Sequence, residues 1–232
     1  MISKFENLKK KIIKCNKCPR LVKFRKKISK DKRKLYINQK YWGKPITGFG
    51  DINGKILLVG LAPAAHGGNR TGRVFTGDKS SYFLYKCLHK VNISNQSNSD
   101  NLNDGLTMNN AFITTALKCV PPKDMPTKKE LINCFNFFDQ EINLLKNLKV
   151  IVALGKIAFD ACVYFYKLNY NFNEKIKFSH NSFYHLPNNI LLVGCYHPSP
   201  RNVNTGRLNE KKMIALFNKV LKLVWRFILF GY

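Results

Sequence analysis

Two stretches of this 232-residue chain carry side chains that could bind a ligand and act on it. The first reads Gly60-Leu61-Ala62-Pro63-Ala64-Ala65-His66-Gly67-Gly68-Asn69-Arg70-Thr71-Gly72-Arg73-Val74-Phe75-Thr76-Gly77-Asp78. Its glycines and proline argue against regular structure, and glycine lets a ligand approach bare backbone amides. Arg70 and Arg73 offer fork-shaped donors suited to phosphate. Asn69 and Asp78 are its one side-chain amide and its one carboxylate, and Phe75 is set inside it as an aromatic. A nucleotide-hydrolase phosphate loop is excluded. Gly67 and Gly72 have its spacing, but Arg73-Val74 stand where Lys and Ser/Thr are required. The second stretch is Tyr196-His197-Pro198-Ser199-Pro200-Arg201-Asn202-Val203-Asn204-Thr205-Gly206-Arg207-Leu208. It places a histidine, a donor able to stabilise a developing anion, in a proline-rich loop after an apolar run.

Four cysteines form a third group. Cys15 and Cys18 make a C-x-x-C followed by Pro19, while Cys119 and Cys134 stand much further apart. Four thiolates can hold zinc or a [4Fe–4S] cluster. A zinc ribbon would show a second C-x-x-C, so the irregular spacing and the Cys-Pro pair lean towards iron–sulfur. Cys87, Cys162 and Cys195 fall on apolar faces or at strand ends and read as small buried hydrophobes.

These groups need a frame. Short apolar runs at Lys55–Val59, Ala111–Leu117, Lys149–Leu154 and Ile190–Val193 read as strands. Helical patterns alternate with them over Lys79–Val91, after Thr127, over Lys156–Tyr166 and over Asn209–Phe227. Thr127 with Glu130 makes a capping box. Residues 35–50 are an aromatic loop, Asn92–Gly105 a polar surface loop, and 167–189 irregular. The expected class is α/β: a three-layer αβα sandwich around a central, mostly parallel four-stranded sheet. Ligands of such sheets bind beyond the carboxyl ends of the strands. The glycine-rich loop follows the first strand and His197 follows the fourth, so both fall on that rim.

One domain spanning 1–232 is expected, with a basic cysteine-containing arm over about 1–34. Lys+Arg number 40 against 13 Asp+Glu, a net charge of +27. That excess points to a polyanionic partner, nucleic acid before membrane. No apolar stretch follows the basic residues 1–14, and none reaches membrane-spanning length. Leu221–Phe230, the most apolar stretch, carries Lys222 and Arg226 and reads as a core helix. A cytoplasmic monomer with reduced or metal-bound cysteines is expected.

The two long stretches resemble the two signature motifs of uracil-DNA glycosylases of family 5, the B type. With the cysteines, the resemblance runs from about Cys15 to Leu208. It implies removal of uracil from DNA, single- or double-stranded, leaving an abasic site in base excision repair. It implies a [4Fe–4S] cluster on Cys15, Cys18, Cys119 and Cys134, with zinc as the alternative. Phe75 would stack on an extruded base, and His197 would donate to its oxygen as charge builds there. Gly60, Ala62, Asn110 and Thr115 would line the base. His66, Gly67, Gly68, Arg70 and Arg73, with Pro198, Ser199, Pro200, Arg201 and Asn202, would meet the DNA. Many uracil-DNA glycosylases carry Asp or Asn where this chain has Ala62, which cannot orient water; family 5 members share the alanine, so the resemblance to the B type holds there too. Asn69, and second Asp78, are then the candidates to position it, and a pocket with fewer polar groups would extend to bases such as hypoxanthine. A non-catalytic nucleic-acid-binding protein with an iron–sulfur or zinc site is the alternative reading, as is a zinc-bound protein of the translation machinery.

Overall fold

The computed structural model describes residues 2–230, with side chains described over residues 3–225. Six strands form one sheet: β1 (Phe49–Gly50), β2 (Ile56–Gly60), β3 (Ala111–Thr115), β4 (Val150–Leu154), β5 (Ser182–Leu186) and β6 (Ile190–Cys195). Their spatial order is β1-β3-β2-β4-β6-β5. The four central strands run parallel and the two edges antiparallel. Among the described residues eight α-helices accompany them: α1 (Ile2–Ile13), α2 (Pro19–Asp31), α3 (Gly68–Thr71), α4 (Lys79–Lys90), α5 (Lys128–Leu144), α6 (Lys156–Tyr170), α7 (Pro200–Asn204) and α8 (Glu210–Phe230).

Strand alternation explains the layers, because successive side chains point to opposite faces. Ile56 and Leu58 enter one core with Leu84 and Leu88 of α4 and Met213, Phe217 and Val220 of α8. Leu57 and Val59 enter the other with Phe138 and Ile142 of α5 and Phe159 and Phe165 of α6. Both faces are covered, so the central strands are buried at every position. Helices α1 and α2 add a third, smaller core, where Leu8, Ile12 and Leu21 meet Leu117, Cys134 and Phe137.

The sheet is two strands wider than the sequence pattern predicts. β1 is a two-residue strand inside the aromatic loop, and β5 lies within the region read as irregular. An edge strand faces solvent and needs no continuous apolar run. The Ser-Phe-Tyr-His-Leu of β5 is accordingly only part-buried. The expected core helix at Leu221–Phe230 is met at Val224, which is buried. The side chains from Arg226 onward lie outside those described. Among the described residues no helix is long and apolar enough to cross a membrane.

Candidate active site

At the carboxyl rim a cavity of about 310 Å³ is lined by Leu61, Ala62, Pro63, Ala64, Phe75, Asp78, Ser80, Asp124, His197, Ser199 and Pro200. That is at the small end of ligand pockets, which run from about 300 to 1,000 Å³. The rings of Phe75 and His197 lie 5.9 Å apart at 33° to one another. Two stretches distant in sequence therefore share one wall.

Phe75 is placed against local preference. Its φ of +45° is left-handed, an outlier for a bulky residue. The backbone is held there by Ser99, whose hydroxyl donates to the Phe75 carbonyl at 3.0 Å. Gly60, at the end of β2, makes room for the ring: a Cβ built there would stand 2.6 Å from Phe75 Cε2.

His197 follows β6. Tyr196 before it donates its amide to His180 Nδ1 at 3.2 Å, and their rings stack. Asn202 Nδ2 donates to the His197 carbonyl at 2.9 Å, and Ser199 caps α7. The backbone around the imidazole is thus tied down. The ring itself has no hydrogen-bond partner among the described residues, which leaves its N–H to the cavity. Burial pushes its pKa down to about 4, so it is neutral at pH 7. A neutral imidazole still donates one hydrogen bond.

Asp78 caps α4, accepting from the Ser81 amide at 2.9 Å. Its other oxygen faces Gly67, where a built Cβ would lie 2.0 Å from Oδ2. Burial raises the Asp78 pKa, although the Ser81 and Ser80 amides and the charge of Arg70 pull against it.

Several residues expected at the site are elsewhere. Asn69 is buried outside the cavity, its amide turned to the Arg25 carbonyl at 3.4 Å, so it does not position water. Asn110 lies at the amino end of β3, opposite the cavity, and accepts from the Lys55 amide at 2.9 Å. Thr115 is at the correct end but buried behind Gly60, donating to the Leu117 carbonyl. Neither reaches a base edge.

The two arginines are also corrected. Arg70 is buried, donating to the His66 and Gly77 carbonyls and to Gln39, with Tyr36 beneath its guanidinium at 4.0 Å. Arg73 is buried in a two-pronged pair with Asp104 and also donates to Thr76 and Ser99. Burial would raise the Asp104 pKa, but bonds from Arg73 and from backbone amides outweigh it and hold it at about 2. These forks shape the loop and are not free for phosphate. Residues 92–105 are therefore structural, since they supply Ser99 and Asp104. Gly67 and Gly68 are buried against Asp78 and Pro63, so they serve close packing, not phosphate approach. His66 is part-buried, its Nδ1 3.0 Å from the Tyr41 hydroxyl. Pro198 is buried, while Pro200 and Arg201 are exposed beside the mouth.

Sequence reasoning missed Ser80, Asp124 and His180. Asp124 sits in a short 3₁₀ turn, Pro122–Asp124, with left-handed φ at Lys123 and Asp124, and no local motif marks it.

Cys15, Cys18, Cys119 and Cys134 line one small cavity under α2. Arg25 Nη1 donates to Cys119 Sγ at 3.1 Å, the Lys118 amide to Cys134 Sγ at 3.3 Å, and Asn133 lies 3.7 Å from Cys18 Sγ. Arg25 Nε is buried with no hydrogen-bond partner among the described residues. Burial pushes the Cys119 thiol up to about 11 and the Cys134 thiol to about 12. Among the described residues no three or more His, Cys, Asp or Glu are grouped so as to hold a metal ion. Cys87, Cys162 and Cys195 are buried.

A family profile described as the uracil DNA glycosylase superfamily matches residues 47–222. The chain is 37% identical to a type-5 uracil-DNA glycosylase of Pyrobaculum aerophilum, over 93% of this chain and 91% of the relative. It is 40% identical to a type-5 uracil-DNA glycosylase of Thermus thermophilus, over 90% of this chain and 93% of the relative. A third, from Mycobacterium leprae, is 40% identical over 90% and 91%.

Proposed function

The chain belongs to the uracil DNA glycosylase superfamily, and from that premise we propose how its pocket works. It is a uracil-DNA glycosylase: it hydrolyses the N-glycosidic bond of uracil in DNA and leaves an abasic site for base excision repair. The observation that carries the mechanism is the pairing of Phe75 and His197 on one wall of a base-sized cavity. A base inside a duplex is out of reach, so the nucleotide is extruded first. The base stacks on Phe75. As C1′–N1 breaks, the bonding electrons pass to the base, and the His197 N–H meets the carbonyl oxygen where the charge collects. Water adds to C1′ and gives up a proton. Of the two carboxylates lining the pocket, Asp78 and Asp124, this reading assigns Asp78 to orient that water and receive the proton; Ala62 can do neither.

Ala62 itself contributes no polar group to the pocket, which supports activity on hypoxanthine as well. Duplexes carrying U·G, I·T and T·A pairs, treated with enzyme and then alkali, test both points. Strand breaks are expected at U and I and not at T. Intact U·G strands overturn the glycosylase reading, and breaks at U alone overturn the broader substrate range. A monomeric enzyme is part of this reading: every residue it assigns to the pocket comes from one chain.

Cys15, Cys18, Cys119 and Cys134 hold a [4Fe–4S] cluster in this reading. Support comes from one shared cavity, donors aimed at three of the sulfurs, and the partnerless Arg25 Nε. The cysteine spacing, with one C-x-x-C and not two, favours a cluster over zinc. Its contribution would be structural, clamping α1 and α2 to the end of β3 and to α5. Anaerobically purified protein should be brown, with about four iron and four sulfide per chain. Stripping the iron should expose residues 1–34 to protease. Colourless protein with one zinc would overturn the assignment.

A further inference from the structure

With Arg70 and Arg73 consumed inside the loop, the expected phosphate contacts have lost their best donors. We infer that the outer face of α2 replaces them: Lys23, Lys26, Lys27 and Lys30 form a track for the phosphate backbone of the duplex beside the extruded nucleotide. This rests on the glycosylase reading for its substrate.

The spacing of these residues, three, four and seven apart, puts them on one stripe of the helix. The opposite face carries the buried Leu21 and Arg25. All four lysines are exposed, and none has a hydrogen-bond or ion-pair partner among the described residues. Seven residues of helix carry the stripe about 10 Å along its axis. Arg33 and Lys34, also exposed, continue it past the helix end.

Position makes the stripe more than a solvated face. α2 is moored at both ends to segments that build the pocket. At its start Arg20 donates to Glu130 and to the carbonyl of Met125, the neighbour of pocket-lining Asp124. Further along, the Arg25 carbonyl accepts from Asn69. Beyond its end the Arg33 amide donates to the Tyr41 hydroxyl, which bonds His66 in the glycine loop. The helix therefore runs beside the pocket, and its unpaired charges lie where duplex flanking the lesion must pass. Residues 1–34 hold 15 Lys and Arg against 2 acidic residues, the densest cationic part of the chain.

The test compares K23Q/K27Q/K30Q with a control triple, K146Q/K167Q/K175Q. The control lysines are equally exposed but lie on or near the amino-end side of the sheet, away from the pocket. Both variants lose the same charge. Binding to an undamaged duplex is measured from 50 to 200 mM salt. Each lost phosphate contact makes the slope of log K against log salt shallower by about 0.9. The stripe variant should therefore lose about 2 to 3 from the slope, so that wild type loses roughly 40-fold more affinity than the variant over that range. The control should lose less than about 1, and its single-turnover excision should stay near wild type. An unchanged slope, or equal losses in the two variants, overturns the inference. Because undamaged duplex is the ligand, this result stands apart from the excision assay, whose failure would strike the glycosylase reading instead.

Discussion

His197→Ala should lower the single-turnover excision rate by about 10²–10³, the cost of removing one donor to a developing oxyanion, while duplex affinity stays within about threefold. The ring has no hydrogen-bond partner among the described residues and lines the pocket assigned to the base, so its loss is felt where negative charge builds. Equal losses in binding and excision would show that the ring merely packs. The depressed pKa adds a second readout. With a folded value near 4 and an unfolded value near 6.5, the unfolded chain takes up the proton first. The neutral ring thus contributes fully above about pH 6.5, and stability falls by on the order of 3 kcal/mol as the pH drops to about 4. His197→Ala should flatten that part of the stability curve. The donor is neutral throughout the physiological range, so the excision rate should show no limb near pH 6.5 from this residue.

Asp78→Asn should be the next most damaging change, lowering excision by roughly 10²–10⁴ with little change in melting temperature. Asparagine is as good an N-cap as aspartate, so α4 keeps its start and only the carboxylate is lost. Because burial raises the Asp78 pKa, the acid limb of the wild-type rate should lie above the ordinary carboxylate value of about 3.9 and should vanish in the variant. Asn69→Ala makes the contrast: it removes a contact to α2 and should leave the acid limb in place. If Asp78→Asn kept both the wild-type rate and that limb, Asp78 would not be the group that orients the water.

The parts of this site legible in the sequence were those fixed by the strand–loop pattern. Apolar runs followed by glycine- or proline-rich loops place Phe75 and His197 on one rim, and the structure brings them together. Residue type alone misled wherever a long-range partner decides the outcome. Arg70 and Arg73 look like phosphate donors until Gln39, the Gly77 carbonyl and Asp104 are found in contact with them. Nothing in the sequence around Asp104 announces that pairing. Asn110 was misplaced for a simpler reason. It precedes its strand, which puts it at the amino end of the sheet. The edge strands were missed because a two-residue ladder and a half-exposed segment leave no period to detect.

Gly60 and Phe75 divide a single volume between them. While the aromatic ring is kept, no methyl group can be added to the end of β2 without driving into it. Shortening residue 75 would lift that prohibition and, in the same stroke, remove the surface on which a base lies. Redesign of this enzyme for a bulkier lesion therefore has to treat the two positions as one choice, and natural variation should couple them too: where a lineage gives up the ring, glycine at the strand end becomes free to drift.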